Sequence, residues 1–177
     1  MISKIKKFIP LTIIITAFCG LIYVSVQQNY RQTANDPQIQ MSEDSASALE
    51  NGAKPEEIVG KTEVDLSKSL APFLIIYNDG EEPINSQAVL DGKIPRPPVG
   101  VFDFVRTHGK EWFTWEPKPG IRIAAVVTKY NGGSPGFVLA GRSIREVENR
   151  EDWLVKEVGG AWITTLLLTF FATLVFK

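Results

Sequence analysis

Residues 111–141 read EWFTWEPKPGIRIAAVVTKYNGGSPGFVLAG. Three runs rich in β-branched and aromatic residues, 111–116, 121–130 and 136–141, are separated by PKPG and NGGSP, two clusters of turn formers. Runs of this length with such short connections fold as successive hairpins, so a three-stranded antiparallel meander is predicted. Toward the N-terminus, FLIIYNDG (73–80) is a fourth strand; its unbroken apolar run marks it as buried, and Asp79-Gly80 turns the chain. Between it and the meander, PVGVFDFVRTH (98–108) has helical spacing of apolar residues and stops at Gly109. The meander strands are expected side by side, while the first strand needs a crossover and has room to enter the centre of the sheet. The fold class is therefore α+β, with no internal repeat.

Upstream, Asp36 and Pro37 carry the signature of a helix start, a capping carboxylate followed by a proline at the first helical position. A helix over 37–50 follows, with Ile39, Met41 or Ala46, and Leu49 expected inward, Glu43, Asp44 and Glu50 outward, and Gly52 as its end. Residues 53–71 are polar, are broken by Pro55 and Gly60, and read as a short helix and loop.

Two stretches frame this domain. Phe8 to Val26 (FIPLTIIITAFCGLIYVSV) and Val158 to Phe176 (VGGAWITTLLLTFFATLVF) are each 19 residues without a charge, close to the ~20 that a helix needs to cross ~30 Å of hydrocarbon. Both read as transmembrane helices in a lipid bilayer, the first continuing as helix to about Ala34. Lys4, Lys6 and Lys7 place the N-terminus in the cytoplasm by the positive-inside rule, and two crossings return Lys177 to the same side. The expected plan is a cytoplasmic tail (1–7), a crossing (8–26), an extracytoplasmic domain (27–157) and a second crossing (158–176), a multi-pass cell-membrane protein. The rival is a cleaved signal peptide. Against it, the apolar run exceeds the usual signal core and Val24-Ser25-Val26 is a poor cleavage site. Bulky Phe18 likewise disfavours a lipoprotein site at Cys19.

The whole-chain charge of −1 hides a separation. Residues 27–157 hold 15 Lys+Arg against all 20 Asp+Glu, a net of −5, which argues against a nucleic-acid surface. With one cysteine and one histidine, neither a disulfide framework nor a Cys/His metal centre can be assembled within the chain, and no cofactor is expected. Phosphate-cradling glycine loops, paired metal ligands and nucleophile elbows are absent from the sequence, so an enzyme is not expected. Asp103 and His108 lie five apart on a helix, hence on different sides, with no nucleophile nearby.

If the loop 117–120 joins Glu116 directly to Ile121, Trp115 lies opposite Arg122 and Phe113 opposite Ala124, all on one face. A guanidinium over an indole can hold a carboxylate while the ring supplies an apolar wall, so Arg122, Trp115, Phe113 and Ala124 form a candidate pocket for a small organic anion. The same pair would equally serve as sheet cover, Trp115 shielding the arginine's aliphatic stem. Trp112 falls on the opposite face. GRSIREVENREDW (141–153) is a charge-laced helix start with Ser143 as its cap. Its Arg142, Arg145, Glu146 and Arg150 make either a solvated linker or a signalling stalk into the second crossing.

The layout of crossing, long helix, strand, helical crossover, meander and crossing, together with QQNYRQTANDPQIQ (27–40) and VLAGRSIREVENRE (138–151), resembles the extracytoplasmic PAS-like or Cache-type sensor modules of bacterial histidine kinases and chemoreceptors. The resemblance covers nearly the whole chain and implies a PAS-like antiparallel sheet domain with a sensory or ligand-binding role. Such modules continue beyond the second crossing into a coiled linker and output domain. Here Lys177 follows the apolar run directly, so a signal is expected to pass laterally to a homodimer mate or to a membrane partner such as a histidine kinase. Gly159, Gly160 and Ala161 would let another helix approach. The alternative is an accessory subunit whose domain docks another protein.

Overall fold

The computed structural model describes residues 2–33 and 35–175, with side chains from Phe8 onward. Ala34, Phe176, Lys177 and the side chains of Lys4, Lys6 and Lys7, on which the sequence reading placed a helix end, a span end and the orientation, lie outside that description. The chain forms two compact units, one of Met1–Gln32 with Val147–Lys177 and one of Thr33–Glu146.

The second unit is an α+β domain around a five-stranded antiparallel sheet. Its strands are β2 (Phe73–Asn78), β3 (Pro83–Ser86), β5 (Lys110–Lys118), β6 (Ile121–Tyr130) and β7 (Gly136–Ser143), in the order β3-β2-β7-β6-β5. The predicted strands are all present. The first enters the sheet between its own hairpin partner and the last strand of the meander, consistent with its five buried residues in succession. The strand β3 went unpredicted: Pro-Ile-Asn-Ser is too short and too polar to show period-two alternation. The polar 53–71 segment holds the one-turn helix α3 (Pro55–Ile58), and a two-residue parallel pair, β1 (Val64–Asp65) with β4 (Ala88–Val89), ties it to the crossover.

Each sheet face is covered by one helix. On one, Phe73, Ile75, Tyr77, Phe137 and Leu139 pack with Val101, Phe102 and Val105 of α4 (Val101–His108). The helix ends where predicted, at Gly109, whose φ of +83° suits a residue without Cβ and whose N–H returns to the Val105 carbonyl. On the other face, Leu74, Ile76, Val138 and Ala140 meet Ala46 and Leu49 of α2 (Asp36–Glu50).

The α2 stripe differs from expectation. Asn35 rather than Asp36 occupies the cap position, without a side-chain capping bond, and the buried residues are Gln38, Ser42, Ser45, Ala46 and Leu49. Ile39 and Met41 are only half-buried. The sheet explains the rotation: the Ser42 hydroxyl finds Thr128 Oγ1 at 2.9 Å and the Ile39 carbonyl at 3.0 Å, so a polar residue can be buried satisfied.

At the corner after β1, Asp65 Oδ1 accepts from the Ser67 N–H (2.9 Å) and hydroxyl (2.6 Å), while Oδ2 pairs with Lys68 at 2.9 Å. The Ser67 hydroxyl, then Lys68 and the Ser67 amide, hold the carboxyl down at about 2, below its ordinary 3.8. A carboxyl depressed on folding adds stability above its unfolded value, and that stability disappears as pH falls through the folded one. Unfolding midpoints of wild type and Asp65→Asn measured from pH 6 downward are expected to differ slightly above pH 3.8 and to converge near pH 2. The difference is small because the group is solvent-screened.

In the first unit, α1 (Ile2–Thr33) and α5 (Arg145–Val175) include the two apolar stretches. Both helices are long and apolar enough to cross a membrane, and no residue in either apolar window is buried by protein. Phe8 meets Phe170 edge-on at 5.7 Å, the Trp162 indole N–H donates to Thr16 Oγ1 at 3.0 Å, and Arg31 pairs with Glu151 at 2.9 Å. As numbers rise along α1 they fall along α5, so the two helices pack antiparallel.

Candidate functional site

The expected quartet is not brought together, because the β5–β6 register differs. Lys118 pairs with Ile121 around a two-residue Pro119-Gly120 turn, and one extra residue at Glu116-Pro117 shifts the ladder before Trp115. Proline has no N–H to give to a ladder and collects at bulges, which is the physical reason for the slip. Trp115 therefore faces Ile123 and Phe113 faces Ala125, while Ala124 pairs with Thr114 and, across β7, with Arg142. By strand alternation, Trp115 and Phe113 point to the α4 face, and Arg122 and Ala124 to the α2 face. A one-residue change of register moves every side chain to the other side. The Arg122–Trp115 pair is thus withdrawn as a pocket.

Trp115 nonetheless lines a polar-rimmed hollow of the domain. It is 6% exposed and forms the floor of a groove of about 630 Å³ between the end of β5 and the segment 90–96. The volume lies within the range of small-molecule sites. Leu90, Pro95 and Pro117 extend the apolar surface, and Lys93, Arg96 and Lys118 supply positive charge at the rim.

Local structure fixes both walls. Leu90 and Lys93 exchange backbone hydrogen bonds (2.8 and 3.0 Å) around Asp91-Gly92, whose φ values of +51° and +75° make the tight turn for which Asp-Gly is favoured. Lys118 Nζ reaches both Asp91 oxygens (3.0 and 2.9 Å), joining the turn to β5 across the groove. Farther along, the Tyr77 hydroxyl donates to the Pro95 carbonyl at 3.2 Å, and burial pushes that phenol's pKa well up, so it stays a neutral donor. Arg96 is held by Glu82 at 2.7 Å. Lys93 is exposed and has no ion-pair partner among the described residues. Against these cations stand Asp91 and Glu116, so the rim favours an anion only modestly.

Comparison with known proteins returns no matching family model, no matching curated protein and no matching solved structure. The groove must therefore be read on its chemistry. Among the described residues, no three His, Cys, Asp or Glu side chains converge as a metal site. Asp91, Gly92 and Arg96 were not singled out from sequence, although the Asp-Gly dipeptide was a usable turn signal. Of the stalk residues, Arg142 lies in β7 and Arg145, Glu146 and Arg150 open α5. The Arg145 N–H is 3.3 Å from Ser143 Oγ, as a cap would be, and its guanidinium donates to the Lys68 carbonyl at 3.0 Å. Trp112, on the α2 face, is 60% exposed.

Proposed function

We propose that this chain is a membrane-anchored, non-enzymatic sensory module whose soluble domain binds a small organic anion. The observation that carries the reading is the Trp115-floored groove with Lys93, Arg96 and Lys118 at its rim. Anchoring is supported by the apolar windows of α1 and α5, which the protein leaves uncovered. A core helix of a soluble protein would bury that surface, whereas lipid accepts it. On this reading both helices cross the bilayer, residues 27–157 lie outside the cytoplasm, and both termini lie inside. The PAS-like character expected from sequence is supported by β2 lying inside the sheet next to β7, a helical crossover and a closing meander. A signal would pass through α1 and α5 to a second copy or to a membrane partner such as a histidine kinase.

The test is a titration of the full chain in detergent with a panel of aliphatic and aromatic carboxylates, read by tryptophan fluorescence. A saturable change that Trp115→Phe abolishes and Lys93→Ala weakens is expected. A flat response across the panel would favour the second reading, a docking subunit. That reading draws on Trp112 and on Val99, both strongly solvent-exposed apolar side chains.

A further inference from the structure

The chain contains two Asn-Gly pairs, Asn51-Gly52 and Asn131-Gly132. Such a pair is chemically labile when the glycine nitrogen is free to reach the asparagine side chain, because glycine adds no steric barrier. The two surroundings differ sharply. At the end of α2, the Asn51 side-chain amide donates to the Ser47 carbonyl at 2.8 Å and the Gly52 N–H to the Leu49 carbonyl at 3.1 Å. Both reacting groups are held, with Asn51 fixed at φ −82° and ψ 7°.

Asn131 lies in the exposed bend between β6 and β7 and is followed by two glycines. Neither its carboxamide nor the Gly132 N–H has a hydrogen-bond partner among the described residues; only the Asn131 backbone N–H is held, by Glu50 Oε1 at 2.7 Å. Gly132 packs closely, since a Cβ there would lie 3.2 Å from the Leu49 carbonyl oxygen and 3.4 Å from Glu50 Cα, backbone atoms that would have to give by a few tenths of an ångström. The packing therefore favours a glycine at the position that makes Asn131 reactive.

We propose that Asn131 is a site of spontaneous deamidation, and that the folded structure protects Asn51. The Gly132 nitrogen attacks Asn131 Cγ, the new C–N bond closes a five-membered succinimide, and the Cγ–Nδ2 bond breaks. Ammonia departs carrying the proton lost by the Gly132 N–H. Water then opens the ring at either carbonyl, giving aspartate or isoaspartate. Either product places a carboxylate beside Glu50, where like charges repel, and isoaspartate also lengthens the backbone of a loop packed on the end of α2.

The experiment incubates the purified full chain in detergent at mildly alkaline pH. Peptide mapping and methyl transfer by an isoaspartyl methyltransferase then locate the product. Replacement of amide NH2 by OH is expected at Asn131 at least an order of magnitude faster than at Asn51. Methyl acceptance should vanish in Asn131→Gln and persist in Asn51→Gln. In concentrated urea the two asparagines should react at similar rates, because the protection of Asn51 is structural. Equal rates in the folded protein, faster reaction at Asn51, or a rate ratio unchanged by urea would each overturn the proposal.

Discussion

Gly136→Ala is expected to destabilise the sheet domain strongly. A Cβ built on Gly136 would lie 2.2 Å from the Tyr77 carbonyl oxygen and 2.7 Å from the Tyr130 hydroxyl. Neither neighbour can yield cheaply. The first is backbone of β2, locked in register with β7 from Phe73–Gly141 to Asn78–Gly136, and the second belongs to a side chain that is 3% exposed. Overpacking against fixed neighbours costs about 1–3 kcal/mol, and contacts this short place the change at the upper end of that range, a sizeable share of the ~5–15 kcal/mol that holds a domain together. The urea midpoint should fall with little change in slope. Gly133→Ala is the control: nothing lies within 4 Å of its Cβ, and a shift within about ±0.5 kcal/mol is expected.

Trp115→Ala is expected to be comparably damaging, for a different reason. The indole packs in the main core with Ile123 and Ala125 and also floors the groove. Truncating a buried tryptophan costs roughly 3–5 kcal/mol through lost transfer energy and the cavity left behind. Trp112→Ala removes a side chain of the same type from the same strand, yet that ring is 60% exposed, so its effect should stay within about 0.5 kcal/mol. Denaturant unfolding of the two variants side by side measures the contrast. A larger loss for Trp112→Ala would mean that the two faces of β5 have been assigned the wrong way round, and near-equal losses would contradict the burial contrast between them.

That contrast turns on the register, which the sequence did not reveal. Elements were legible because their signals are local: the apolar run 73–77, the turn residues of 117–120 and 131–135, and the helical spacing of 101–108. The pairing of β5 with β6 depended on where the extra residue sits, and a hairpin can lose a residue in its turn and regain it in a bulge. Pro117 was the clue, since a residue without an N–H cannot sit in an ordinary ladder position. Half of the site was accessible for the same reason. Trp115 was found through its strand, but two of its three cationic neighbours, Lys93 and Arg96, come from residues 90–96, a segment whose position is set by the Tyr77 hydroxyl and the Asp91–Lys118 pair rather than by any periodicity. The buried serines of α2 were hidden by a similar cause: polarity alone does not predict exposure once a strand offers Thr128 as a partner.

All of the functional reading rests on a domain held outside the cytoplasm between two crossings. The most direct test places a single reactive thiol at Ser134, an exposed loop residue of that domain, in a Cys19→Ala background, and treats intact spheroplasts with a membrane-impermeant maleimide. Labelling of Ser134→Cys without lysis is the predicted result. Labelling that appears only after the membrane is broken would contradict it.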